Sequence, residues 1–65
     1  MTINQRFKEI RKQLGYNKQI RFAEACNKDS AYISDIERGK KRPGTEIMEL
    51  LYNKWNINLN YLITG

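Results

Sequence analysis

FAEACNKDSAYISDIERG, residues 22–39, decides the fold of this chain, because it holds two short helical patterns with almost no linker between them. The first pattern contains Ala23 and stops at the polar corner formed by residues 27–29. A second helix is predicted directly after the corner and should end at Gly39, since glycine just beyond a helix favours its termination. Three consecutive cations, Lys40-Lys41-Arg42, follow at once. The stretch therefore predicts two helices joined by a tight turn, with positive charge where the second one ends.

The corner depends on two residues with suitable conformational preferences. Asn27 tolerates the left-handed backbone conformation better than other residues that carry a side chain, so a sharp turn is possible there. Asp29 is a preferred residue at a helix N-cap, and it precedes a helix predicted over about 30–38. Within that helix, Ile33 and Ile36 recur at the i, i+3 spacing that places both on one buried face.

Helical periodicity also dominates the rest of the chain, and no alternating strand pattern interrupts it. The chain is therefore predicted to be one all-α domain over residues 1–65, with further helices at about 3–14, 18–26 and 45–54 and a short fifth helix after Asn58. Expected caps are Asn17, Thr45 and Asn58, and expected stops are Gly15 and Asn56. The side chains expected to face inward are Ile3, Phe7, Ile10, Leu14, Ile20, Phe22, Ala23, Cys26, Ile47, Met48, Leu51, Trp55, Leu59, Leu62 and Ile63.

The charge balance favours a polyanionic partner. The chain has 65 residues and a formal net charge of +5. Many small basic domains bind no nucleic acid, so charge alone leaves that question open. Two helices joined by a tight turn, with cations at the exit of the second, are the arrangement that presents a helix to the DNA major groove. The position of the charge therefore favours DNA.

Other classes of function find little support in the composition. The chain has no histidine and one cysteine, so a zinc site would have to use carboxylates, and we expect no metal and no cofactor. No nucleophile with an evident base and no phosphate-cradling glycine loop is present, which excludes the common enzyme patterns. Cys26 is expected to be a small buried hydrophobe rather than a redox sensor. No apolar run approaches the ~20 residues of a membrane-spanning helix, and the expected location is the cytoplasm, on the nucleoid.

Several motifs, in order and at similar spacing, match a known family. The chain resembles the DNA-binding domain of the Cro and phage-repressor-like helix-turn-helix proteins, often called Xre-like, over about residues 3–65. The resemblance implies a compact, lambda-repressor-like bundle of five helices. Residues 18–38 would form the helix-turn-helix, and helix 30–38 would lie in the major groove. The motifs are Arg11 to Gly15, Gln19 with Ala23, YISDIERGK at 32–40, Pro43, and LNYLITG at 59–65.

Four features depart from the pattern of this family. The stretch between Gly15 and Ala23 carries one extra residue, which leaves the start of the second helix open. Asn27 replaces the glycine of the turn, which the backbone argument above allows. Lys28 stands where relatives bury a small aliphatic residue, so either its alkyl stem lies along the core with the ammonium group outside, or the turn is shifted. Ser30 and Ala31 are shorter than the amides or arginines of several relatives. Recognition is therefore expected to depend partly on water and on DNA shape.

The resemblance assigns roles to individual residues of the predicted helix-turn-helix. Side chains expected to contact base edges are Ser30, Ala31, Ser34 and Asp35. Side chains expected to contact phosphates are Gln19, Tyr32, Arg38, Lys40, Lys41 and Arg42, with Arg6 and Lys18 as weaker candidates. The alternatives are a solvated helix surface for the first set, and for the second an exposed glutamine, a packed tyrosine and a solvated basic loop. The resemblance also implies that Arg11 and Glu37 form a partly buried structural ion pair between helices one and three.

Two functions remain open at this stage. The first is a sequence-specific DNA-binding transcriptional regulator, of the repressor type, that binds a palindromic operator as a homodimer. The second is an antitoxin-like or antirepressor-like module that uses the same fold to bind a protein. The segment from Leu50 to Gly65 has one charged residue, Lys54, and could form a dimer contact or dock a further domain. Salt separates the two functions, because DNA binding weakens steeply with ionic strength.

Overall fold

Five α-helices make up the fold in the computed structural model, which describes residues 1–65. α3 packs against both α1 and α2, and α5 packs against α1. The prediction of an all-α, five-helix architecture is confirmed. None of the helices has both the length and the apolar character that crossing a bilayer requires. The helices are α1 (Ile3–Gln13), α2 (Gln19–Ala25), α3 (Ser30–Glu37), α4 (Thr45–Trp55) and α5 (Leu59–Thr64).

All five helices contribute to one apolar core. At its centre lies Phe22, whose ring centroid is 5.7 Å from that of Phe7, 5.4 Å from that of Tyr16 and 5.5 Å from that of Trp55. Aromatic pairs at these separations add attraction beyond the burial of their surface. This cluster fixes α2, and with it the helix-turn-helix, against α1 and α4. The buried apolar residues are Ile3, Phe7, Ile10, Phe22, Ala23, Cys26, Ile33, Ile36, Ile47, Leu51 and Leu62.

The helix-turn-helix corner has the backbone geometry that the sequence predicts. Asn27 has φ of 58°, in the left-handed region, and Gly39 after α3 has φ of 84°. The amide of Lys28 donates to the Ala23 carbonyl at 2.9 Å, and the amide of Asn27 donates to the Glu24 carbonyl at 3.1 Å. This pair of hydrogen bonds is the Schellman motif, which satisfies carbonyls at a helix end. The predicted stops at Gly15 and Asn56 are also confirmed. Both residues have positive φ, 93° and 55° respectively.

Two of the predicted helix caps are wrong. Lys18, not Asn17, is the N-cap of α2, and Gly44, not Thr45, is the N-cap of α4; neither helix has a side-chain cap. α2 therefore begins one residue later than a cap at Asn17 would place it, and α4 begins one residue earlier than a cap at Thr45 would place it. The caps at Asp29 and Asn58 are confirmed, since both side chains accept backbone amides of the first turn.

Two of the residues expected to face inward are exposed instead. Ile20 is 53% exposed and Ile63 is 44% exposed. The inward face of α2 is centred on Phe22 and Ala23, and a residue two positions before Phe22 points about 200° away around the helix. Ile63 follows the fully buried Leu62 and is turned about 100° from it. Four further members of the expected set are only half-buried: Leu14, Met48, Trp55 and Leu59.

Candidate nucleic-acid interface

The side of α3 that faces away from the core carries the residues predicted to contact bases. Ile33 and Ile36 are fully buried and fix the opposite side of the helix. Positions i, i+1, i+4 and i+5 of a helix form one continuous strip, so the structure brings the four predicted residues together. Ser30 and Ala31 are exposed, and Ser34 and Asp35 are half-buried. Their contact with base edges stays a prediction.

The start of this strip is held in place by a capping interaction. An oxygen of the Asp29 carboxylate accepts the backbone amide of Tyr32 at 2.8 Å. The cap stabilises the first turn of α3, and a replacement by alanine typically costs about 1 kcal/mol. Ser30 and Ala31 therefore lie on a backbone that is ordered before any ligand arrives.

The basic loop after α3 continues the same surface. Arg38, Lys40, Lys41 and Arg42 are all exposed. The amide of Lys40 donates to the Asp35 carbonyl at 2.9 Å, which closes the C-terminal turn of α3. The cations are thus brought next to the strip on α3, and their contact with phosphates stays a prediction.

A residue of α1 fixes the path of this loop. The side-chain amide of Asn4 donates to the carbonyl of Ile36 at 2.8 Å and to the carbonyl of Lys41 at 2.7 Å. Its two amide hydrogens therefore join α1, the end of α3 and the basic loop. Sequence reasoning missed Asn4, because a single asparagine on a helix carries no local pattern that indicates a partner more than thirty residues away.

Tyr32 lies between the corner and the basic loop. It is half-buried, and its ring centroid is 5.4 Å from the ammonium nitrogen of Lys28 and 5.4 Å from that of Lys41. A Cβ built on Gly44 would lie 3.6 Å from the Tyr32 hydroxyl, so this hydroxyl lies beside the start of α4. The ring thus packs against two cations from different segments, and its polar end stays at the surface.

Lys28 follows the first of the two alternatives that the sequence left open. The turn has regular geometry, and the Lys28 side chain is 27% exposed, with its ammonium group 2.7 Å from a carboxylate oxygen of Glu46. The hydrogen bond between these side chains raises the pKa of Lys28 above its usual value. The same hydrogen bond lowers the pKa of the Glu46 carboxyl group. Both groups are therefore charged at neutral pH.

Glu37 joins three helices through a buried polar network. Arg11 donates from Nε to Oε2 of Glu37 at 2.7 Å and from Nη2 to Oε1 at 3.2 Å. The two side chains are only 5% and 3% exposed. Gln19 at the start of α2 donates to Glu37 Oε1 at 2.9 Å, and Arg11 also donates to the carbonyl of Tyr16 at 2.7 Å. The network fixes α1, the start of α2 and the end of α3 relative to one another.

Gln19 therefore has a partner within the fold that the sequence did not indicate. Its amide nitrogen carries two hydrogens, and the hydrogen bond to Glu37 uses one of them. The second hydrogen and the first amides of α2 are still available to an anion, and a phosphate contact at Gln19 stays a prediction.

The proposal of Arg6 as a minor phosphate ligand is wrong. Arg6 is 9% exposed. Its guanidinium group donates to the carbonyls of Leu62 at 2.9 Å, Ile63 at 3.0 Å and Met1 at 2.7 Å. Carbonyls in the last turn of a helix lack partners within it, and a nearby arginine satisfies them and interacts favourably with the helix dipole. Arg6 thus holds α5 on α1, and each of its three guanidinium nitrogens donates to a backbone carbonyl within the fold.

Cys26 is a buried thiol, as expected. Burial raises its pKa from 9.0 to about 11, and the positive charge of Lys54 opposes this only in part. Lys54 itself donates to the Ala25 carbonyl at the end of α2, at 2.9 Å. The neutral, shielded thiol acts as a small apolar side chain in the core. No group of three or more acidic, cysteine or histidine side chains is placed to hold a metal ion.

Comparison with known proteins defines the class. A family described as a helix-turn-helix domain matches residues 4–65, and the chain belongs to that family. The chain is 32% identical over 63 residues to the immunity repressor protein of Bacillus phage phi105, covering 97% of this chain and 43% of that protein. It is 33% identical over 63 residues to the HTH-type transcriptional regulator ImmR of Bacillus subtilis (strain 168), covering 97% of this chain and 49% of that protein. The chain thus spans about half the length of these curated relatives. No solved structure matches it.

Proposed function

We propose that this domain binds double-stranded DNA in a sequence-specific manner and regulates transcription, as a repressor and not as an enzyme. One observation carries the proposal: the outward strip of α3 runs directly into a loop of four exposed cations, and Asn4 holds that loop beside the strip. The names of the two relatives, an immunity repressor and a transcriptional regulator, support the same function.

The mechanism follows from the placement of these groups. α3 enters the major groove with Ser30, Ala31, Ser34 and Asp35 toward the base edges. The cations at Arg38 and residues 40–42 bind phosphates, which sets the register of the protein on the duplex. A bound domain then represses by blocking access of RNA polymerase to the promoter. The site of action would be the cytoplasm, on the nucleoid.

Two copies would bind one operator. A dimer places two α3 helices on half-sites ~34 Å apart, one turn of DNA, so the operator would be a palindrome. Tyr52, Tyr61 and Ile63 are exposed on α4 and α5, and they provide apolar surface for contact between the two copies. The short side chains of Ser30 and Ala31 favour recognition through water and DNA shape beside direct contacts.

Selection from a random DNA pool, at low and at near-physiological salt, tests this proposal. We expect enrichment of a palindrome that persists at the higher salt concentration. Binding without enrichment that disappears as salt rises would leave only non-specific attraction and would contradict the proposal.

Variants separate base contacts from phosphate contacts. Asp35→Asn should change the selected sequence, because a carboxylate accepts from a cytosine amino group and an amide also donates. Lys40→Gln should weaken binding to all sequences alike and reduce the slope of log K against log salt by about 0.9. Lys12→Gln removes an exposed cation of α1 outside the proposed interface and is the matched control. Equal effects of the two lysine variants would contradict the assignment of the basic loop.

The exposed apolar side chains of α4 and α5 also favour a second candidate function, that of an antitoxin-like or antirepressor-like module that binds a protein. Binding of a protein through Tyr52, Tyr61 and Ile63 would depend little on ionic strength. The same salt series therefore decides between the two functions.

A further inference from the structure

We propose that Lys28, Tyr32 and Lys41 form a DNA phosphate site that the carboxylate of Glu46 occupies in the free protein. Glu46 would then act as an internal competitor that lowers DNA affinity for every sequence alike. The inference rests on the proposed function, because it names a ligand site at the edge of the same interface. Lys28 and Glu46 lie outside both predicted sets of DNA contacts.

Two cations converge on the ring of Tyr32. The ammonium groups of Lys28 and Lys41 each lie 5.4 Å from the centroid of Tyr32. They come from different segments, the turn before α3 and the loop after it. A ring face attracts cations, so the ring gathers both ammonium groups around one side chain, whose hydroxyl can donate a hydrogen bond. Two ammonium groups and one hydroxyl are donors suited to phosphate oxygens.

The two cations of this cluster differ in their ion pairing. Only Lys28 has a carboxylate partner, Glu46 at 2.7 Å, and Lys41 forms no ion pair. The Glu46 carboxylate lies on α4, beyond the basic loop, and is the one carboxylate that forms an ion pair with an ammonium group of the cluster. The neighbouring Asp29 carboxylate accepts the backbone amide of Tyr32 instead. The Glu46 carboxylate therefore stands in the place that a phosphate oxygen would take, as an oxygen anion within hydrogen-bonding distance of the Lys28 ammonium group.

A phosphate oxygen can replace the Glu46 carboxylate in this ion pair. The Glu46 side chain is 80% exposed, whereas that of Lys28 is 27% exposed. Exposed ion pairs contribute little net stability, so the carboxylate can swing into solvent at small cost. A phosphate of docked DNA would also engage Lys41 and the Tyr32 hydroxyl, which Glu46 does not, and would replace it.

Three variants and one control test the exchange on the DNA duplex that the wild type selects, over a salt series. Glu46→Gln should strengthen binding about 1.5- to 5-fold, the change that an exposed ion pair of this kind implies. Lys28→Gln should weaken binding and reduce the salt slope by about 0.9. In the double variant Lys28→Gln/Glu46→Gln, the gain from Glu46→Gln should fall to that of the Glu49→Gln control, because the partner of Glu46 is absent and only the general electrostatic effect remains. Lys28→Arg should retain binding.

Glu49→Gln is the matched control, since Glu49 is an exposed carboxylate of the same helix without an ion pair. It removes the same charge, so it reports the general electrostatic effect alone. Two results would overturn the inference while the wild type still binds DNA. In the first, Glu46→Gln strengthens binding no more than Glu49→Gln does. In the second, the gain from Glu46→Gln is undiminished in the double variant. If the wild type shows no sequence-specific binding to DNA, that result would instead contradict the proposed function. Thermal melts of each variant show that differences in binding do not come from unfolding.

Discussion

Replacing Glu37 by alanine should strongly destabilise this domain. The side chain of Glu37 is 3% exposed and accepts three hydrogen bonds, two from Arg11 and one from Gln19. Arg11 is itself 5% exposed as a side chain, so the substitution leaves a buried guanidinium group with only the Tyr16 carbonyl as a partner. A buried unpaired charge cannot recover its lost hydration, which is why removing one side of such a pair is costly.

The expected loss is about 3–5 kcal/mol of unfolding free energy. At roughly 0.05–0.15 kcal/mol per residue, a chain of 65 residues has about 3–10 kcal/mol in total. The substitution therefore removes a large part of the stability, and the melting temperature should fall by at least ~12 °C, since each kcal/mol shifts it by about 4–8 °C in a domain of this size.

Urea titration followed by fluorescence measures this loss. Trp55 is the single tryptophan, and its ring stacks 5.5 Å from that of Phe22 in the core, so its emission reports unfolding. Glu49→Gln, at an exposed position, is the control and should stay within about 0.5 kcal/mol of the wild type. An Arg11→Met/Glu37→Met double variant should be more stable than Glu37→Ala, because it leaves no buried charge behind.

The reasoning would be refuted by either of two results. A Glu37→Ala variant within about 1 kcal/mol of the wild type would show that Arg11 finds water or another partner when Glu37 is absent. A double variant less stable than Glu37→Ala would show that the unpaired charge is not the source of the loss. In each case an unchanged m-value is required, so that the comparison reflects stability and not a change in the unfolded chain.

Changes at three further positions test the supports of the fold. Arg6→Met should lower the unfolding free energy by about 2–4 kcal/mol, because three carbonyls lose a charged donor; an unchanged urea midpoint would contradict the assigned role. Asn27→Gly should be tolerated, whereas Asn27→Ala should cost about 1–2 kcal/mol at φ of 58°; equal thermal stability of the two variants would argue against strain. Native Cys26 should react with a thiol reagent far more slowly at pH 8 than in urea, and equal rates would count against burial. Its folded-state pKa is raised, so its contribution to stability is complete below pH 9.0 and is lost as pH rises toward about 11, a loss that Cys26→Ala should lack.

Local features of the chain were enough to predict the helix-turn-helix. Asp29 caps α3 by accepting the backbone amide of Tyr32, three residues further on. Asn27 and Gly39 adopt the left-handed backbone conformation that both residue types tolerate. Ile33 and Ile36 define one buried face. Each depends on residues a few positions apart, so the sequence contains the whole cause. The same holds for the cluster of cations after α3 and for the all-α class.

Local patterns failed where several helices compete for the same core. Ile20 and Ile63 are as apolar as their buried neighbours, but the face that each helix turns inward is set by what it packs against. Asn17 and Thr45 are good caps by type, but α2 and α4 begin elsewhere. Periodicity predicts that a face is buried without specifying which side chains at its edge remain outside.

The sequence by itself determined the class of fold, the corner of the helix-turn-helix and the strip of α3 with its cations, because these follow from backbone preferences and helical spacing. Only the tertiary structure decided that Asn4 holds the basic loop, that Arg6 closes the end of α5 and that Lys28 faces Glu46. These contacts join residues 18 to 56 positions apart in the chain. A polar side chain does not indicate which distant carbonyl or carboxylate it will meet. That choice is made when the apolar faces pack and bring the helix ends together.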